Sequence, residues 1–231
     1  RINHWFDYEW YFFNLNFMLK DQKNQSYKSL INLLGLNKNQ SWMMTPNERF
    51  TILGIANILK PNSVLELGFA KGGCTTFLSK LTKSVYTVDK DNKVLKSSKY
   101  LKNVIPLKMT TDEAFKYFKK NKLQFNLCII DADHSTRGAC RDLEASIKIC
   151  DVIIMHDTSN PSCRKGYESA LRNKSFYYDL DLIEGHNQID GLWGGLGIAI
   201  PNQKEKKNYL TKRYSNYPFL KVRYMLSYPL F

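Results

Sequence analysis

The stretch Ser63 to Asp89, SVLELGFAKGGCTTFLSKLTKSVYTVD, constrains this chain more than any other. It reads as a buried strand (Val64, Leu65, Leu67), a glycine-rich turn, a short helix, and a second strand that ends on an acid. The apolar runs VLEL and VYTV are too short for helices and suit the centre of a parallel sheet. Gly68 and Gly72 stand where a strand must fold sharply into a helix, and bare backbone there lets a ligand come close. Asp89 closes the next strand, placed to accept hydrogen bonds from two adjacent ribose hydroxyls. Such a βαβ unit is expected to hold a nucleoside.

The glycine spacing narrows the choice of nucleoside. A dinucleotide fingerprint wants G-x-G-x-x-G, which rests a pyrophosphate on the helix N-terminus. Here the order is Glu66-x-Gly68-x-x-x-Gly72, with no second glycine at the expected place. This pattern, with Asp89 following it, resembles the first motif of class I S-adenosylmethionine-dependent methyltransferases. The resemblance implies a Rossmann-like α/β fold: a mostly parallel seven-stranded sheet, helices on both faces, and a terminal antiparallel hairpin. It also implies that Glu66, Gly68, Ala70, Gly72, Asp89, Thr111, Asp112 and Asp131 contact S-adenosylmethionine. For Asp112, a helix cap is an equally good reading.

A chain of 231 residues fits one such domain with additions. The expected division is an aromatic, helical extension over 1–45, the methyltransferase domain over 46–201, and a basic, aromatic extension over 202–231. Thr45-Pro46-Asn47-Glu48 is a helix start, with Thr45 as cap and Glu48 completing a capping box. After Asp89, helices are expected over Lys93 to Leu101, Asp112 to Lys119, Ser135 to Ile149 and Ser162 to Leu171. Strands are expected over Val104 to Leu107, Leu123 to Ile130, Val152 to Met155, Phe176 to Ile183 and Leu196 to Ile200. The last two are joined through a turn near Asp190-Gly191, with Trp193 a candidate to face substrate.

The net charge of +13 favours anionic partners but says nothing of fold. The lysines, arginines and tyrosines beyond Asn202 suit single-stranded nucleic acid, or a solvated tail packed on the domain or on another subunit, which is the preferred reading. Five cysteines form no C-x-x-C pair, as expected of reduced thiols in a cytoplasmic protein. No apolar run reaches the ~20 residues of a membrane span. The chain starts on Arg1 rather than Met, which fits a missing native start.

The chemistry is expected from IIDADHSTRGACRDLEASIK (Ile129 to Lys148) and IIMHDT (Ile153 to Thr158). Together they resemble the cephalosporin-hydroxylase-like and macrolide-sugar O-methyltransferase group. Asp131, His156 and Asp157, from two neighbouring strand ends, can converge on one divalent cation, Mg²⁺ or Mn²⁺, that holds two substrate oxygens. In the group's metal-dependent members the ligands come from these strand ends, but as carboxylates or an amide. Imidazole is a poor ligand for Mg²⁺, so the site uses a softer ion, omits His156, or binds none. The resemblance makes His134, three residues after Asp131, the general base, a role that suits a group titrating near neutrality. Arg141 and Asp142 are expected to pair locally and stay outside catalysis. The expected reaction is O-methylation of a small hydroxylated molecule, a sugar or glycosylated metabolite. RNA methylation and a non-catalytic binding protein are the alternatives. An Asn/Asp-Pro-Pro-aromatic motif for a flipped base is missing after the fourth strand.

Overall fold

Short apolar runs bounded by turn residues become strands, and the amphipathic segments between them become helices. The computed structural model describes residues 43–183 and 193–201. The expected aromatic arm, the hairpin turn with His186, Asp190 and Gly191, and the basic stretch beyond Asn202 lie outside the described residues. In chain order the elements are α1 (Pro46–Leu59), β1 (Ser63–Leu67), α2 (Gly73–Leu78), β2 (Ser84–Asp89), α3 (Lys93–Ser98), β3 (Val104–Lys108) and α4 (Thr111–Lys120). They continue with β4 (Phe125–Ile130), α5 (Thr136–Ser146), β5 (Cys150–His156), α6 (Pro161–Leu171), β6 (Tyr177–Ile183) and β7 (Leu196–Ile200).

The seven strands form one sheet in the order β3-β2-β1-β4-β5-β7-β6. Strands β1 to β5 pair in parallel, while β7 lies antiparallel between β5 and β6. The expected mostly parallel sheet with a terminal hairpin is present. Direction of growth reverses between β1 and β4, and at such a switch point the strand ends splay apart and leave a crevice.

Burial follows position in the sheet. The inner strands β1, β4 and β5 are buried almost throughout, whereas β6 alternates at its edge. One face is sealed by an aromatic cluster, where Phe118 of α4 packs edge-on to Phe125 at 5.1 Å and to Tyr86 at 6.3 Å. Arg164 of α6 grips Asp181 of β6 through both carboxylate oxygens, at 2.6 and 3.1 Å.

Helix ends follow local chemistry. Thr45 and Glu48 form the expected capping box on α1, and Ser135 caps α5. A second box, Thr110 with Glu113, caps α4, so Asp112 is a first-turn residue rather than the cap. Helix α5 stops short of Ile149 because Lys148 and Ile149 donate to carbonyls three residues back, closing tight turns instead. Likewise Leu101 N–H closes a turn on Ser98 and ends α3 early. Cys150 already pairs with Phe125, so β5 starts two residues before the expected Val152. Among the described residues, no helix is long and apolar enough to cross a membrane.

Helices α5 and α6 meet through Gly166. A Cβ there would lie 2.5 Å from Thr136 O and 2.8 Å from the Ala139 Cβ. Gly166→Ala is therefore expected to destabilise the fold by ~1–3 kcal/mol through overpacking. Urea denaturation measures it, and an unchanged midpoint would show that the two helices separate without cost.

Candidate functional site

Strand register places the site. Val88, Leu67, Ile130 and Met155 pair in one row across β2, β1, β4 and β5. The next row at the carboxyl edge is Asp89, Gly68, Asp131 and His156. Backbone bonds extend the pairing into it: Gly68 N–H donates to Val88 O at 2.9 Å, and Asp131 N–H to Leu67 O at 2.8 Å. Gly68 has φ +96°, and a Cβ on it would overlap the Asp131 carbonyl. Only glycine fits so close to β4.

These residues open onto a cavity of about 670 Å³, within the ~300–1,000 Å³ of small-molecule sites. Gly68, Ala70, Asp89, Thr111, Asp131, His134, His156 and Asp157 all line it, as expected from the sequence. Trp193, just before β7, also lines it. Three expected cofactor contacts are off this wall. Gly72, at φ +77°, abuts the Phe69 ring and shapes the turn. Asp112 pairs with Arg141 at 3.2 Å. Glu66 is buried under the turn, where the Thr75 and Thr87 hydroxyls both donate to its Oε2.

Asp89 does more than face the cavity. Its Oδ2 accepts from the Phe69 and Ala70 amides at 2.9 and 3.3 Å, and its Oδ1 accepts from Asp91 at 2.8 Å. The acid thus fixes the turn after β1, and its remaining lone pairs face the cavity. Arg141 also lines the wall, which the sequence reading missed by treating it as a local partner. Its Nε lies 3.1 Å from Asp142 and 3.2 Å from Asp112, and its Nη2 donates to the Thr111 hydroxyl at 3.0 Å. Helices α4 and α5 are joined there by one planar guanidinium.

Beside the switch point, two imidazoles share two carboxylates. His134 Nε2 is 3.3 Å from Asp131 Oδ1 and 3.4 Å from Asp157 Oδ2. His156 Nδ1 is 3.1 Å from Asp131 Oδ1 and 3.3 Å from Asp157 Oδ1. His134 stands half-exposed at the cavity, while His156 is 4% exposed, with its carbonyl bonded by the Tyr167 hydroxyl at 3.0 Å. Asp157 holds a left-handed backbone, φ 57°, a conformation uncommon outside glycine that Asp adopts more readily than most residues.

Electrostatics follow from this packing. Burial pushes the Asp131 carboxyl up, but the His156 charge and the His134 hydrogen bond outweigh it and hold it at about 2. Burial raises Asp157, with the nearby His156 opposing. A hydrogen bond to Asp131 raises the His134 imidazole above its usual range against partial burial. For His156, burial acts downward and the Asp131 charge overcomes it, leaving the imidazole well above its usual range.

Asp131, His156 and Asp157 present ligand atoms within 4.8 Å of one another. Asp157 Oδ1 is buried without an aligned hydrogen-bond partner, and so is His156 Nε2. A fourth residue, which the sequence reading confined to helix capping, reaches the same cluster. Glu48 Oε2 lies 3.5 Å from His156 Nε2, and its Oε1 accepts from Gly195 N–H at 2.6 Å.

Comparison with solved structures gives the fold a known setting. A provisionally assigned O-methyltransferase from Klebsiella pneumoniae superposes with a TM-score of 0.56 at 14% identity, covering 81% of this chain and 95% of its own. The O-methyltransferase from Bacillus cereus, in complex with SAH, gives 0.55 at 16% identity over 76% and 91%. An rRNA methylase from Streptococcus thermophilus gives 0.50 at 15% identity over 66% and 97%. This is the class I methyltransferase fold. No family model and no curated protein matches the sequence.

Within that fold, burial raises the Glu66 carboxyl from 4.5 to about 7, against the hydrogen bonds of Thr75 and Thr87. A carboxyl raised on folding favours its protonated form. Its cost is nil below about pH 4.5, grows as pH rises, and levels off above about 7 at ~3 kcal/mol. Glu66→Gln is expected to melt higher than the wild type at pH 8, with the gap closing toward pH 5. A pH-independent gap in thermal melts would mean that Glu66 is not held protonated.

Proposed function

We propose that the protein transfers a methyl group from S-adenosylmethionine to a hydroxyl of a small molecule, a sugar or glycosylated metabolite. One observation carries this reading. The glycine turn, the acid after β2 and the Asp131–His134 pair surround a single cavity at the switch point. The site fits the cofactor in chemistry as well as place. Asp89 offers a carboxylate to the ribose hydroxyls, and Gly68 leaves backbone bare beside Asp131. S-Adenosylmethionine supplies a methyl on a positively charged sulfur, so the acceptor oxygen needs only to lose its proton and be aligned.

His134 takes that proton at Nδ1, because its Nε2 donates to Asp131 and lies beside Asp157. The two carboxylates stabilise the imidazolium that forms. Asp131 and Asp157 also orient the ring, and Trp193 lines the same cavity. Holding the oxygen about 3 Å behind the methyl converts an encounter into a near-attack geometry.

Asp131, His156 and Asp157 would hold a divalent cation. Asp157 Oδ1, buried without an aligned hydrogen bond among the described residues, fits such an ion, and two carboxylates with one imidazole suit Mn²⁺ better than Mg²⁺. It would pair two neighbouring substrate oxygens and acidify the one to be methylated.

Calorimetry with S-adenosylmethionine and release of S-adenosylhomocysteine over a panel of sugars and glycosides test the reading. His134→Ala is expected to bind the cofactor within about threefold of wild type, while turnover falls by ~10²–10⁴. Unchanged turnover would remove His134 from the mechanism, and no cofactor binding would end the proposal.

A further inference from the structure

The described residues contain two capping boxes of the same type, and they differ in one respect. Glu113 closes the box on α4 at the surface and bonds only its own cap residue, Thr110. Glu48 closes the box on α1 but is only 2% exposed. A carboxylate gains nothing as a cap from such burial, which by itself is unfavourable. Its surroundings show what the burial serves. Oε2 accepts from Thr45 N–H at 2.6 Å, Oε1 accepts from Gly195 N–H at 2.6 Å, and His156 Nε2 lies 3.5 Å away. Burial works against the charge of Glu48, yet the His156 and backbone contacts outweigh it and keep the carboxyl below its usual range.

Seen from His156, the arrangement has a direction. Nδ1 faces Asp131 and Asp157, the two candidate ligands. Nε2 is buried, has no aligned hydrogen-bond partner among the described residues, and lies 3.5 Å from Glu48 Oε2. In an imidazole whose Nε2–H faces a carboxylate, Nδ1 is the nitrogen whose lone pair a cation can use, once the cation displaces the proton that Nδ1 now offers Asp131.

We propose that Glu48 is a positioning residue, a carboxylate that holds His156 with Nδ1 turned toward the Asp131–Asp157 pair and thereby sets the affinity of this site for a borderline divalent cation. The inference rests on the cation reading of Asp131, His156 and Asp157 and adds to it a residue 83 positions before Asp131. Because Glu48 also holds Gly195, the same carboxylate ties the ligand ring to the segment that carries Trp193.

Glu48→Gln tests this while keeping the shape of the side chain. Its amide oxygen still accepts a backbone N–H, but its NH₂ group turned toward His156 favours a bare Nε2 and a protonated Nδ1. That is the wrong nitrogen for a cation. Isothermal titration with Mn²⁺ is the readout, with thermal melting to confirm that each variant is folded. Glu113→Gln removes the corresponding carboxylate of the other box as a control. The expected result is a 10–100-fold weaker Mn²⁺ affinity for Glu48→Gln, wild-type affinity for Glu113→Gln, and partial recovery for Glu48→Asp. If folded Glu48→Gln binds Mn²⁺ as wild type does, Glu48 has no positioning role. If wild-type protein binds no Mn²⁺, the cation reading fails and this inference with it. Should Glu48→Gln not fold, Glu48→Ala decides: wild-type affinity in that folded variant, which keeps no carboxylate, would overturn the proposal.

Discussion

The site depends on four parallel strands running in step at their carboxyl ends. Because Val88, Leu67, Ile130 and Met155 share one row, the next residues of each chain arrive side by side. A slip of one residue in any pairing would turn the inward set of side chains outward. Register is fixed by burial: β1, β4 and β5 have almost no face that tolerates solvent. The hydrophobic core therefore decides where the carboxylates and imidazoles stand.

Polar groups at that edge are held by more than one partner. Asp89 binds the turn that crosses in front of it, and Arg141 joins α4 to α5 through two carboxylates and a hydroxyl. Asp133 fills the space where Gly138 has no side chain, and its Oδ1 accepts from Ser135 at the start of α5. Such shared contacts leave few free rotamers, so the cavity wall is formed before any ligand arrives.

Much of this was legible in the sequence. Parallel strands are short, apolar and bounded by turn residues, and Thr45, Ser135 and Gly68 mark their boundaries by local chemistry that needs no distant partner. Asp131, His134, His156 and Asp157 could be brought together in advance because strand ends of adjacent strands are neighbours in space. Glu48 could not. Its sequence context matches that of Glu113, and the difference between them lies in Gly195, 147 residues away, and in His156. Arg141 was misjudged for the same reason: its adjacent Asp142 explained the charge locally, while Thr111 sits thirty positions back. Glu66 looked like a cofactor contact from its place beside the glycine turn. The structure points it beneath the turn instead, toward two threonine hydroxyls.

Strand β7 runs against its neighbours, so it begins where they finish: Leu196 pairs with His156. The polypeptide thus re-enters the cavity rim after leaving it at Asp157, and Ser159 backbone and hydroxyl groups clasp Gly194 on the return. Under the proposed methyl transfer, acceptor preference and cofactor grip would be housed in separate parts of the chain. Drift in the returning stretch would then recast which molecules are accepted, while the glycine turn and its acid stay as they are.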